Sequence, residues 1–401
     1  MANGSQALGY CRRWSATLLL LIALAGLINA LVDPYLVMGA PRIAGLNAAK
    51  PVTISHTQLA KDYLVQRIPA RGLMLGSSKV EVGLDPASAS WPADARPAFN
   101  YGVPGSGIHD ALANLRRTIA QHEVRRVLIL IELEEYMRPE AASGAALPQA
   151  SPTPARLEAF RKAAGDKLLA TLSTDALLAS ATTLLSQQDP NVIDLSPAGT
   201  MSEGGFRKSA ASDGSDALFL QKDRMLIASF ADMTARLKAN PDAPLARLSA
   251  LDELIVVCRR HGIKLDIAIA PFHSDYLDAL DRAGLWPRYE QAKRALAALV
   301  ADSGQGRVPL WDFLGYDRFS TEPIPAPIDR VSATRWFWEP SHFKQPLGEK
   351  ILATIYRGGQ DYGVPLTPGN VEARLLAERQ ARRGHRAEDR AGLDRLIRAS
   401  Q

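Results

Sequence analysis

"RGLMLGSSKVEVGLDP", residues 71–86, is the stretch on which the reading of the fold turns. Leu73, Met74 and Leu75 form a short apolar run of the kind seen in buried strands, and the run stops at Gly76-Ser77-Ser78-Lys79. A glycine and two serines at such a point read in two ways. They form a small-residue turn leading into a helix cap, or a turn that presents a serine hydroxyl at the carboxyl edge of a sheet.

Outward from this stretch, apolar runs alternate with helical patterns. Strands are predicted at Gly72–Leu75, Ala98–Tyr101, Val127–Leu133, Leu265–Ala270 and Val308–Trp311, and helices near Asp110–Gln121, Leu248–His261 and Glu290–Asp302. Leu251, Leu254, Ile255 and Cys258 recur at three- and four-residue spacing and make one apolar helix face. Alternation of this kind predicts a parallel sheet covered by helices. Two stretches depart from it. Leu36–Ala70 reads as a connector with a short helix at Thr57–Val65. Pro139–Asp216, rich in Ala, Ser, Pro and Gly, reads as an insertion with helices at Pro154–Leu172 and Ala176–Ser186. Such an insertion is either a surface excursion or a lid beside the strand ends where open α/β sheets bind ligands. Residues 361–401 form an Arg-rich helical tail, predicted to be solvated and only partly docked.

The 401 residues are 47% apolar and 22% charged, which suits a folded chain with a full core and excludes a disordered one. The net charge of +5 is spread along the chain, with no long basic run that would point to nucleic acid. Arg12 and Arg13 precede an apolar segment, Trp14–Val32, in which only Ser15, Thr17 and Asn29 are polar. That length is enough to cross a bilayer and exceeds the apolar core of a signal peptide. The expected organisation is a cytoplasmic stretch at 1–13, a signal anchor at 14–34 and an extracytoplasmic remainder, with a cleaved signal peptide as the alternative. Cys11 and Cys258 would lie on opposite sides of the membrane boundary, too far apart to pair, and they offer no metal site.

Four segments carry candidate chemistry. Ser78 stands on the turn after the first strand. In "FNYGVPGSGIHD", residues 99–110, the glycines around a strand end offer backbone N–H groups to an oxyanion, while their spacing fails the dinucleotide-binding pattern. In "RWFWEPSHFKQPLGEKILATIY", residues 335–356, Glu339 stands three residues before His342 on a loop leading to a helix that begins near Gln345 or Pro346. A carboxylate so placed accepts the imidazole Nδ1 proton and leaves Nε2 to take a proton from serine. His273 follows the fourth strand on the same sheet edge and is assigned to substrate binding or to a helix entry near Ser274. Trp336 and Trp338 flank the Glu339–His342 pair and either stack on a sugar ring or pack the loop. Asp312, at the end of the fifth strand, is the reserve acid.

In combination, Gly-x-Ser, then Asn-x-Gly-x-x-Gly, then a carboxylate three residues before a late histidine resembles the SGNH/GDSL hydrolase superfamily. More narrowly, it resembles the membrane-anchored extracytoplasmic branch that includes alginate O-acetylation proteins and the D-alanyl transfer protein of teichoic acids. The resemblance spans roughly residues 70–360 and rests on short motifs. It implies a three-layer α/β/α flavodoxin-like domain at 71–360 with a central parallel sheet, preceded by one transmembrane helix. It also implies Ser78 as nucleophile, His342 as base, Glu339 in place of the family's Asp, and the N–H groups of Ser78 and Gly105 as the oxyanion hole, with Asn100 beside the substrate. Ser77, where the family often has Asp, shapes the turn. The family's asparagine after the third strand is absent, since the chain there reads Glu134-Glu135-Tyr136-Met137-Arg138. The implied activity is acyl transfer to, or removal from, an envelope or secreted polysaccharide in the periplasm. It would use no cofactor or metal, and its implied partner is a multispanning acyltransferase in the inner membrane. The competing reading is an idle module that binds glycan or assembles an export complex, and a third is a soluble periplasmic esterase.

Overall fold

The computed structural model describes residues 3–139, 155–329 and 331–400. In chain order the main elements begin α1 (Asn3–Val32), α2 (Thr57–Leu64), β1 (Gly72–Gly76), α3 (Ser78–Gly83), β2 (Ala98–Gly102), α4 (Ile108–Ile119), β3 (Arg126–Ile131) and α5 (Leu133–Met137). They continue through α6 (Ala155–Leu172), α7 (Thr174–Leu185), α8 (Gly204–Asp213), α9 (Ser215–Ala239), α10 (Leu248–Arg260), β4 (Lys264–Ile269), α11 (Ser274–Arg282) and α12 (Trp286–Ser303). The remainder is β5 (Leu310–Asp312), β6 (Phe337–Glu339), β7 (His342–Phe343), α13 (Gln345–Arg357), β8 (Val364–Pro365), α14 (Val371–Glu388) and α15 (Arg390–Ala399).

The described residues form two compact units. One holds the chain up to Leu64 together with residues 155–195, and the other holds 65–139 and 196–400. In the first, α1 is the one single helix among the described residues long and apolar enough to cross a membrane. Its last carbonyls are capped from downstream: Asn47 Nδ2 donates to Leu31 O at 3.0 Å, and the buried Lys50 ammonium donates to Val32 O. The Asp33 carboxylate then accepts the N–H groups of Met38, Gly39 and Ala40. Residues 35–64 therefore do not run as a free connector. They fold onto a small core of Tyr35, Val37, Ala170, Ala176 and Ala179, joined by Val52, Leu59 and Tyr63. The two helices expected in the insertion are present as α6 and α7, and they pack in this unit.

The second unit is a six-stranded sheet in the order β2-β1-β3-β4-β5-β8, parallel except for the short edge strand β8. Its strands lie within a residue or two of the sequence expectation, because continuous apolar runs are the mark of strands covered on both faces. Strand order reverses direction between β1 and β3, so the carboxyl ends of these two strands open on a crevice.

Two expectations need correction. Residues 196–216 belong with the sheet and begin a helical segment, α8 and α9, that the Ala/Ser/Gly composition concealed. The segment around Glu339 is a small hairpin of β6 and β7 and not a loop. The Arg-rich tail is partly docked, as expected: Leu375 and Leu396 are buried and Arg395 is almost fully covered, while Leu376, Leu393 and Ile397 stay exposed.

Candidate active site

Gly76 closes β1 with φ at +147°, a conformation open to glycine, and a Cβ there would stand 2.8 Å from Leu130 O. The chain turns at once into α3. Ser77 is its N-cap, with Oγ accepting from Lys79 N at 3.4 Å, and Ser78 is the first helical residue. The N–H of Ser78 thus lies in the first turn, where no intrahelical acceptor exists. Asn100, at the middle of β2, holds this short helix in place. Its Nδ2 donates to Val80 O and Leu84 O at 2.7 and 2.8 Å, while its Oδ1 accepts from Gly102 N.

On the other side, the hairpin pairs Glu339 with His342 across its bend. His342 Nδ1 donates to Glu339 Oε1, and Ser78 Oγ donates to His342 Nε2 at 2.8 Å. Serine, histidine and carboxylate are thereby joined in one hydrogen-bonded chain from residues 264 positions apart. The second oxygen of Glu339 accepts from Ser341 N at 3.0 Å and from Ser341 Oγ at 3.3 Å. Burial pushes the Glu339 carboxyl up, but the His342 charge and hydrogen bond, with Lys222 and Ser341 N–H, outweigh it and hold the group at about 2. It is therefore an ionised orienting group at neutral pH.

Ser78 and His342 open on a cavity of about 450 Å³ whose lining includes Gly105, Ser106, Gly107, Ser341 and Phe272. No family model, curated protein or solved structure matches the chain.

The cavity wall is strongly charged. Lys79 Nζ lies 2.8 Å from Glu132 Oε2, and the other oxygen of Glu132 accepts the Ser77 hydroxyl. Burial raises Glu132, while Lys79 and the two hydrogen bonds pull it down more strongly, so it stays below the ordinary carboxylate value. Arg138 pairs with Glu134 at 3.2 Å, and Arg247 with Glu135, which also accepts Ile108 N–H at 2.8 Å. Lys222 stands apart from this scheme. Among the described residues it has no salt-bridge partner, yet it lines the cavity. Of these groups, Glu134, Glu135 and Arg138 stood in a stretch read only for the asparagine it lacks, and Glu132, Lys222 and Arg247 gave no signal in the sequence.

The structure brings together Ser78, His342, Glu339 and Gly105. It separates the rest. Asn100 is fully buried as the staple of α3 and does not line the cavity. His273 is 2% exposed and caps α11, accepting Asp275 N–H at Nδ1 and donating from Nε2 to Glu322 O at 3.0 Å, so both ring nitrogens are committed. Trp336 packs edge-on against Phe319, and Trp338 stacks on Phe206, whose far neighbour is the His342 ring. The tryptophans support the hairpin from behind. Asp312, the reserve acid, is buried in an ion cluster with Lys293, Arg374 and Glu378.

Proposed function

We propose that this protein is a membrane-anchored serine acyltransferase or esterase of SGNH type, with a flavodoxin-like domain that works on an acylated polysaccharide outside the cytoplasmic membrane. The observation that carries the reading is the Ser78–His342–Glu339 chain, 2.8 Å at its serine end, opening on a cavity. The strand order 2-1-3-4-5 supports the fold assignment, and α1 supports the anchor.

The chemistry follows from the geometry. His342 Nε2 takes the Ser78 proton as Oγ attacks an ester carbonyl, and the N–H groups of Ser78 and Gly105 receive the developing oxyanion. Glu339 holds the imidazole in the tautomer that presents a bare Nε2 and stabilises the imidazolium. The imidazolium returns its proton to the departing alkoxide, leaving acyl-Ser78. A sugar hydroxyl or water, deprotonated by His342, then attacks the acyl-serine, its proton passes to Ser78, and the enzyme is regenerated. Lys222 on the cavity wall suits an acceptor that carries a carboxylate or phosphate.

A fluorophosphonate probe tests the reading. Labelling at Ser78 that disappears in Ser78→Ala is expected. A folded protein that binds glycan and takes no label would instead be an idle binding module.

A further inference from the structure

In water, a helix turns its leucines inward and its small polar residues outward. α7 does the reverse. Ala176, Ala179, Ser180 and Thr183 are buried, whereas Leu178 and Leu185 are 70% and 85% exposed. α6 carries the same feature, with Leu168, Leu169 and Leu172 on the surface. The two helices meet at Ser173 with a 63° bend, and together they are as apolar over their length as a broken or re-entrant span.

The elbow between them is seated on α1. Leu172 packs against Gly26, where a Cβ would stand 2.9 Å from Leu172 Cδ2. Asn29 joins all three helices: its Nδ2 donates to Thr171 O at 2.8 Å, and its Oδ1 accepts the Ser180 hydroxyl at 2.8 Å. Gly26 precedes the end of α1 at Val32 by six residues, a depth of about 9 Å at the helical rise. A helix lying in a membrane interface buries its apolar face by about 5–10 Å.

The elbow also meets the stricter demand of an apolar medium, that backbone polar groups find partners within the protein. Ser173 Oγ accepts Ala176 N–H, Ser173 N–H donates to Leu169 O, and the Thr171 hydroxyl donates to Lys167 O. Acidic Asp175 sits in the first turn of α7, where a helix best tolerates a negative charge.

We infer that α6 and α7 form a hairpin dipping into the outer leaflet of the bilayer beside α1, and that lipid covers the exposed leucines. The inference rests on reading α1 as a membrane anchor. It makes residues 168–185 a second membrane contact, with small residues packed on the protein side and leucines facing acyl chains.

The test uses the full chain in nanodiscs. In a Cys11→Ala background a single cysteine is placed at Leu169, Leu178 or Leu185 and labelled with an environment-sensitive fluorophore. Cys258 does not compete, because burial pushes its thiol up to about 12. Labels at Leu20→Cys and Arg318→Cys serve as the anchor and water references, since both positions are exposed. Shallow doxyl lipids should quench the Leu169 and Leu178 labels about twofold and iodide should not, as expected for a helix at the acyl boundary. Iodide quenching without doxyl quenching would overturn the inference. Protection from both would overturn it too, by placing protein on the leucines. If the Leu20 label escapes deep doxyl lipids, the anchor reading fails; if Leu20 is quenched by deep doxyl lipids and Leu178 is not quenched by shallow ones, the hairpin inference fails by itself.

Discussion

Glu339 carries two separable consequences. It is ionised, buried and bonded to His342 Nδ1, so replacing it by an amide leaves the shape but allows the wrong imidazole tautomer. For Glu339→Gln, ester turnover should fall by roughly 10⁴-fold, the size known for a carboxylate-to-amide change in a serine triad, with labelled Ser78 falling in parallel. Glu339→Asp should keep more of the activity, since the charge is retained. The second consequence concerns stability. A folded-state value of about 2 against an ordinary 4.5 means that the ionised group contributes stability above pH 4.5, lost as the pH falls toward 2. Urea midpoints of the wild type should therefore drop over that window, and those of Glu339→Gln should drop less. At the cavity wall, Lys222→Met should raise KM for an anionic ester more than for a neutral one. Equal changes for both esters would remove Lys222 from substrate recognition. The Glu339–His342 spacing was legible in the sequence because it is local. The exclusion of Asn100 and His273 was not, because it depends on which way a side chain faces.

Among the elements, α15 holds the tail through a buried charge cluster. Arg395 bonds Asp275 at 2.6 and 2.8 Å and lies 3.5 Å from Asp223 and 3.7 Å from Asp216. Burial and the Asp275 charge push Asp223 up to about 9, so this acid favours the folded state at low pH and progressively less as pH rises from 3.8 through 9. Removing Arg395 strips the cluster of its central cation. Arg395→Ala should cost about 3–5 kcal/mol, the usual penalty for orphaning a buried charge, and the loss in Tm should be larger at pH 8 than at pH 5. A pH-independent loss would reduce α15 to simple packing. An Arg-rich tail with few leucines reads as solvated because charge pairs across the fold leave no periodic trace. The same limit hid α9: Phe219, Leu226, Phe230 and Met233 do form a stripe, but the helix starts at Ser215, inside the Ala/Ser/Pro/Gly-rich stretch.

For the whole molecule, the N-terminus decides where the proposed chemistry would take place. If α1 is an anchor, protein extracted from membranes keeps Trp14–Val32 by mass spectrometry and resists alkaline carbonate washing. A mature chain starting beyond Val32 would support a soluble esterase. Residues 155–195 show how far organisation departs from linear order, since they fold with the first 64 residues and not with the strands that flank them. By itself the sequence determined the anchor-length helix, the β1 to β5 strands and the close Glu339–His342 pair. Each of these is written in local pattern: unbroken apolar length, short apolar runs or close spacing. Only the tertiary structure decided that Ser78 and His342 meet, that Asn100 and His273 are structural, that Lys222 reaches the cavity, and that α6 and α7 belong beside α1. These outcomes depend on packing between segments far apart in the chain, where facing and burial are set by partners that no local window contains.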